Sequence, residues 1–108
     1  MRVMGIDPGS RVTGWGIVDC PSVSALRYVE AGCIKTGDRR SFSDRLKTIY
    51  DAVNDLIRRY QPDEVAFEDI FYGKNVRAAF QLGQARAAAI LAAIHADRSV
   101  AFYPPASV

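Results

Sequence analysis

The sequence is poor in the residues that most often announce chemistry. It has one histidine (His95), two cysteines (Cys20 and Cys33) and one tryptophan in 108 residues. It also lacks an excess of either charge, with 14 Lys and Arg against 12 Asp and Glu and a net charge of +2. That balance does not by itself imply nucleic acid, so such a reading has to rest on where the charges sit. Long apolar runs are missing too. The stretch from Met1 to Asp7 is too short for the apolar core of a signal peptide, and it contains Gly5. The Ala-rich run 85–96 is interrupted by Arg86 and His95, which excludes a membrane span. These absences point to a cytoplasmic protein. The cysteines agree. In a hairpin that sets Cys20 opposite Arg27, Cys33 falls opposite Gly14. Six residues of strand, about 20 Å, then part the two cysteines, well beyond the roughly 7 Å that a disulfide tolerates between Cα atoms. Both read as reduced structural thiols.

What is present is the composition of an ordinary globular domain, 49% hydrophobic and 24% charged. At this length the chain is a single domain, 1–108, with one modest core. It carries no repeat, low-complexity segment or linker. Residues 2–6 form an apolar run closed by Asp7-Pro8-Gly9-Ser10, which predicts a buried strand ending in a turn. Residues 14–19 and 26–35 predict two further strands around a turn at 21–25, so the first three strands should form an antiparallel meander.

A polar loop, 36–43, precedes a helix whose apolar positions are Phe42, Leu46, Ile49, Tyr50, Val53, Leu56, Ile57 and Tyr60. Steps of three and four make one stripe. Ser43 is its expected N-cap, Asp44 suits the positive end, Arg58 and Arg59 suit the negative end, and Gln61-Pro62 stops it. Residues 64–68 predict a fourth strand, parallel to the first or to a neighbour of it because a crossover helix intervenes. Asn75 can cap a second helix running to His95, 99–103 predict a fifth strand, and Pro104-Pro105 closes it. The order is β-β-β-α-β-α-β. Ending there leaves one sheet face short of helical cover, which suggests a truncated chain.

Two carboxylates stand out. Asp7 ends the first strand and Glu68 ends the fourth. In parallel neighbours both emerge at the carboxyl edge of the sheet, where open α/β sheets place their sites. Like charges brought together repel, and a divalent cation relieves that repulsion. Mg²⁺ takes hard oxygen ligands, often one or two carboxylates plus substrate phosphate. Two such ions can activate water and stabilise the leaving oxygen in phosphodiester cleavage. The same residues also fit plainer roles, Asp7 as a turn residue before Pro8-Gly9 and Glu68 as a solvated strand end.

The segment Phe71-Tyr72-Gly73-Lys74-Asn75-Val76-Arg77 sets two aromatics and two cations beside Glu68. That mixture suits base stacking with phosphate contact, and equally one core aromatic with one loop residue. The second helix is apolar on more than one face, with nine alanines among Phe80, Leu82, Ile90, Leu91 and Ile94. One side should meet the sheet, and the other a partner subunit or a further helix. His95 suits the helix C-terminus and is given no catalytic role. Trp15 reads as core or sheet-face packing.

Taken in order, these residues resemble the RuvC-type Holliday-junction resolvases. The run Met4-Gly5-Ile6-Asp7-Pro8-Gly9-Ser10-Arg11-Val12-Thr13-Gly14-Trp15-Gly16 looks like their opening. Gly32 to Thr36 resembles their third strand, Arg45 to Tyr50 their first helix, and Ala66-Phe67-Glu68 after Gln61-Pro62-Asp63 their second acidic motif. Phe71, Lys74-Asn75 and Leu82-Gly83-Gln84-Ala85-Arg86 are the most specific stretch. The resemblance covers the whole chain.

It implies an α/β, RNase H-like fold with a five-stranded mixed sheet, lacking the C-terminal helical part. The implied activity is that of a crossover junction endodeoxyribonuclease, placing paired symmetric nicks in a four-way junction during recombination and repair. Asp7 and Glu68 match the first two catalytic, metal-binding acids, with Mg²⁺ as cofactor and Mn²⁺ as a substitute. Phe71 matches an aromatic that stacks on the junction, and Tyr72, Lys74, Arg77 and Arg11 are assigned to the DNA-facing surface. The Ala-rich helix matches the one packed across a homodimer two-fold, and the family partner is the RuvA–RuvB branch-migration complex.

The chain departs from the family at Ala87, where Gly is usual. The resemblance places two further acidic or His/Asp ligands beyond Val108, so the chain as given is expected to be inactive alone. Two other readings stand beside this one. One is a related RNase H-like nuclease acting on ribosomal RNA precursors. The other is a non-catalytic DNA-binding or dimerising module.

Overall fold

The computed structural model describes residues 1–37, 41–69 and 75–104. Seven elements follow one another: β1 (Arg2–Asp7), β2 (Val12–Ser22), β3 (Ala25–Lys35), α1 (Phe42–Tyr60), β4 (Glu64–Glu68), α2 (Val76–His95) and β5 (Ser99–Tyr103). The order and type of the elements are those read from the sequence. The strands form one mixed sheet in the order β3-β2-β1-β4-β5. The hairpins make β1, β2 and β3 antiparallel. The crossovers through α1 and α2 make β4 parallel to β1 and β5 parallel to β4, as the handedness and reach of such connections require.

Residues on alternate sides of the strands have different fates. On one side Met4 and Ile6 of β1, Ile17 of β2, and Val65 and Phe67 of β4 are buried. They pack with Ile49, Val53 and Ile57 of α1 and with Ala85, Ala89, Ala92 and Ala93 of α2 in a single core cluster. Alanines on the inner face of α2 let it approach α1 and the sheet closely, as small residues do. The other side carries Gly5, Asp7, Gly14, Gly16, Ala66 and Glu68. None of these is buried, and no element among the described residues lies over them.

Two local expectations need correction. The N-cap of α1 is Ser41, not Ser43: its side chain accepts from the Asp44 N–H at 3.2 Å, and the helix starts at Phe42. Both serines satisfy the capping pattern, but only one stands three residues before an orphan N–H. In the β2–β3 hairpin Cys33 pairs with Gly14 as expected, but Arg27 pairs with Asp19 rather than with Cys20. Register shifts after Ile17 and after Asp19 displace the partners by one, and such irregularities leave no mark in hydrophobic alternation. Both cysteines are free. At the far helix end the expected stop holds, with Gln61 in the left-handed conformation at φ 51° and its N–H bonded to the Ile57 carbonyl. Among the described residues no helix is long and apolar enough to cross a membrane.

Trp15 packs against the core from the helix-covered side. Its ring lies 5.7 Å from that of Tyr60, tilted by 42°. Gly32, its partner across the strands, makes the room: a Cβ there would stand 2.8 Å from Trp15 Cζ2. Gly32→Ala should therefore destabilise the full-length protein by about 1–3 kcal/mol, the usual cost of overpacking. Gly5→Ala should cost nothing or stabilise slightly, because nothing lies within 4 Å of a Cβ at that position. Denaturant melts of both variants check this, and equal midpoints for the two would contradict it.

Candidate active site

The parallel pairing of β1 with β4 sets the site. Ile6 stands beside Phe67 in that register, so the next residues along, Asp7 and Glu68, end neighbouring strands at the same edge. Both are exposed, and both line one open cleft of about 570 Å³. Its floor is backbone and small side chains of Gly5, Gly14, Gly16 and Ala66, and Tyr103 and Pro104 form a wall. The expected convergence of the two carboxylates at one sheet edge is what the structure has.

Asp7 leads into a turn that is held in shape. The Thr13 hydroxyl donates to the Gly9 carbonyl at 2.8 Å, and the Gly9 N–H donates back to Thr13 Oγ1 at 3.2 Å. The Thr36 hydroxyl donates to the Ser10 carbonyl at 2.8 Å, and its N–H donates to the Arg11 carbonyl at 3.1 Å. Thr13 and Thr36 are the buried polar side chains among the described residues, and each is satisfied by this turn, as buried hydroxyls must be. Gly9 is needed sterically, because a Cβ there would lie 2.2 Å from the Val12 carbonyl oxygen. Arg11 is carried on the outside of the same turn and is exposed. Gly14 faces Asp7 across the hairpin, and even a Cβ there would touch only Asp7 Cβ, at 3.7 Å.

At the other strand end Glu68 pairs with Tyr103 of β5. The Tyr103 hydroxyl donates to Glu64 at 3.1 Å, which takes its ring back along β4 past the small Ala66. That hydrogen bond, with the nearby Glu64 charge, holds the phenol above its ordinary pKa. Asp69 is anchored twice, its N–H donating to the Tyr103 carbonyl at 2.6 Å and its Oδ1 meeting the Arg86 guanidinium at 3.0 Å.

The other expected site residues are less constrained. Arg77 lies exposed in the first turn of α2, whose N-cap is Asn75 as read from the sequence, its side chain accepting from the Ala78 N–H at 3.0 Å. Phe71, Tyr72 and Lys74 lie outside the described residues. Tyr103, Asp69 and Arg86 are additions to the expected set. The signal for Tyr103 was available: β5 follows a second crossover helix, so its last residue had to reach the same edge as Asp7 and Glu68. His95, given no catalytic role, bonds through Nδ1 to the Tyr50 hydroxyl and ties α2 to α1.

Two carboxylates in an open cleft with a low floor form a hard, anionic donor pair that fits a divalent cation while leaving room for phosphate. Among the described residues no group of three or more His, Cys, Asp or Glu side chains gathers as a metal site.

Comparison with known proteins agrees with this layout. The family described as crossover junction endodeoxyribonuclease RuvC matches residues 3–108. A curated relative of that description from Pelobacter propionicus is 52% identical over 103 residues, covering 95% of this chain and 58% of its own length. One from Trichlorobacter lovleyi is 47% identical over 108 residues, covering 100% and 60%. The chain thus spans about three fifths of the length of these relatives. The structure of Thermus thermophilus RuvC in complex with a Holliday junction superposes with a TM-score of 0.88 at 30% identity, covering 97% of this chain and 65% of that one. The five-stranded mixed sheet with its two helices is therefore the RNase H-like fold of RuvC structures, and the chain belongs to the RuvC family.

Proposed function

We propose that this chain is the larger part of a divalent-metal-dependent endonuclease that resolves four-way DNA junctions by paired symmetric nicks in recombination and repair. The observation that carries the reading is that Asp7 and Glu68 share one cleft at the carboxyl edge of the sheet. Asp7 and Glu68 would hold the cation, Mg²⁺ by preference and Mn²⁺ as a substitute, and family resemblance puts the remaining ligands beyond Val108. When bound, the metal supplies an activated water and a stabilised leaving oxygen. The chain's own residues do the rest. The Thr13–Gly9 and Thr36–Ser10 contacts fix the backbone that follows Asp7. The β4–β5 ladder fixes the end that presents Glu68. Glycines on the cleft floor leave space for a phosphodiester to approach. Arg11, Lys74 and Arg77 would contact phosphates, and Phe71 and Tyr72 would stack on bases opened at the junction. The protein would act in the cytoplasm with the RuvA–RuvB branch-migration complex.

A homodimer fits the outer face of α2. Val76, Phe80, Leu91 and Ile94 are 73%, 68%, 48% and 51% exposed. Together with Gly83 and Ala87 of the same helix they form one stripe at steps of three and four. Beside it runs a groove lined by Leu46, Tyr50, Ala88 and Leu91 between α1 and α2. A second copy would cover the stripe and set two clefts in a two-fold arrangement, which paired nicking requires. Sedimentation of the full-length protein at micromolar concentration should give a dimer, and Phe80→Asp with Ile94→Asp should give a monomer. A wild-type monomer under those conditions contradicts the dimer.

Nicking and gel-shift assays on a synthetic four-way junction test the chemistry. Asp7→Asn in the full-length protein should abolish nicking, because the water loses its metal-held position. Junction binding should survive, since phosphate and base contacts carry it. Phe71→Ala should lower nicking through the loss of a stacking surface worth roughly 1–3 kcal/mol per base, with the Mg²⁺ dependence unchanged. An Asp7→Asn variant that nicks at the wild-type rate makes Asp7 a turn residue only. A Phe71→Ala variant that matches wild type in both assays removes the stacking role.

A further inference from the structure

Arg86 sits midway along α2 with its side chain 23% exposed, and it does two things at once. Its guanidinium lies over the Phe102 ring, Cζ to centroid 4.9 Å, and it reaches Asp69 Oδ1 at 3.0 Å. Phe102 in turn lies against the wholly buried Phe67, ring centroids 6.0 Å apart. The guanidinium therefore rests on a platform that is continuous with the core. Its Nε is out of solvent and has no acceptor among the described residues, while Nη2 of the same guanidinium donates to the Asp69 carboxylate. Asp69 is the residue after Glu68, and its N–H is bonded to the Tyr103 carbonyl. The residue following the second acidic position is thus gripped from α2 by its side chain and from β5 by its backbone.

An ion pair whose carboxylate is 56% exposed adds little to global stability. Its geometry has a different consequence, because it fixes the backbone at a strand end whose last side chain is Glu68. We infer that Arg86 is a positioning residue: through Asp69 it holds the end of β4 so that Glu68 meets Asp7 across the cleft. The inference rests on the reading of Asp7 and Glu68 as metal ligands. Lysine could supply the charge but not the planar group that stacks on Phe102 while donating to Asp69, so Arg86→Lys should restore only part of what Arg86→Met loses.

The test uses full-length protein with Arg86→Met, Arg86→Lys, Asp69→Asn and the Arg86→Met/Asp69→Asn double variant. Three quantities are read: the Mg²⁺ concentration giving half-maximal nicking of a four-way junction, junction binding without metal, and amide hydrogen exchange at residues 68–69 and 103 without metal. Arg86→Met and Asp69→Asn should each raise the half-maximal Mg²⁺ by roughly tenfold, the order expected when a partner of a ligand is lost. Metal-free junction binding should stay within about twofold, and exchange at the strand end should quicken. The double variant should be no worse than either single, because one contact is removed in all three. Unchanged Mg²⁺ dependence and unchanged exchange in Asp69→Asn, an exposed position that does not threaten folding, would overturn the proposal. So would additive effects in the double variant, which would mean that the Asp69 charge and Arg86 act separately. If the wild-type protein shows no Mg²⁺-dependent nicking, the metal reading fails, and the exchange measurement still decides the clamp.

Discussion

The structure depends on the parallel pairing of β1 with β4. Two strands separated by more than fifty residues are brought side by side by the crossover through α1, and their carboxyl ends stop at the same level. The pairing is made robust by what lies under it. Met4, Ile6, Val65 and Phe67 are all buried against α1 and α2, and burying a large apolar side chain contributes about 1.5–3 kcal/mol. A strand pair anchored in this way can carry two carboxylates at its end, although like charges at one edge repel. A divalent cation held between the two acids, as proposed, would offset that repulsion.

The rest of the fold follows from that pairing. Apolar residues alternate with glycine, alanine and the two acids along β1 and β4, so one sheet face builds the core and the other becomes the cleft floor. Support for the acids comes from both directions. The meander strands return the chain beside Asp7 and pin its turn through Thr13 and Thr36. On the far side β5 and α2 take hold of the residue after Glu68. Asp7 and Glu68 thus stand on strand ends held from both sides, and groups carried on strands are placed more precisely than groups carried on loops.

Much of this is legible in the sequence because the signals are periodic. The 3.6-residue stripe of α1 and the short apolar strands name the elements, and the crossover rule puts Asp7 and Glu68 at one sheet edge once β1 and β4 are neighbours, an adjacency that the structure supplies. What escapes the sequence is of another kind. Ser41 and Ser43 satisfy the same capping rule, and only backbone geometry chooses between them. The register shifts in the β2–β3 hairpin displace Cys20 from Arg27 without altering any hydrophobic pattern. The Arg86–Asp69 contact joins residues 17 apart on different elements, where no local spacing rule applies. The edge position of Tyr103 follows from the second crossover, but its ring direction depends on a long-range bond to Glu64 that no spacing predicts.

The central claim is that Asp7 and Glu68 hold one divalent cation between them. Paramagnetic broadening of backbone amide resonances by substoichiometric Mn²⁺, in the full-length protein, tests it without any DNA. The account predicts broadening centred on residues 7, 9, 14 and 68–69, lost together when Asp7→Asn and Glu68→Gln are combined. Broadening centred instead on the exposed acids of α1, Asp51 and Asp55, and unchanged in that double variant, would contradict it.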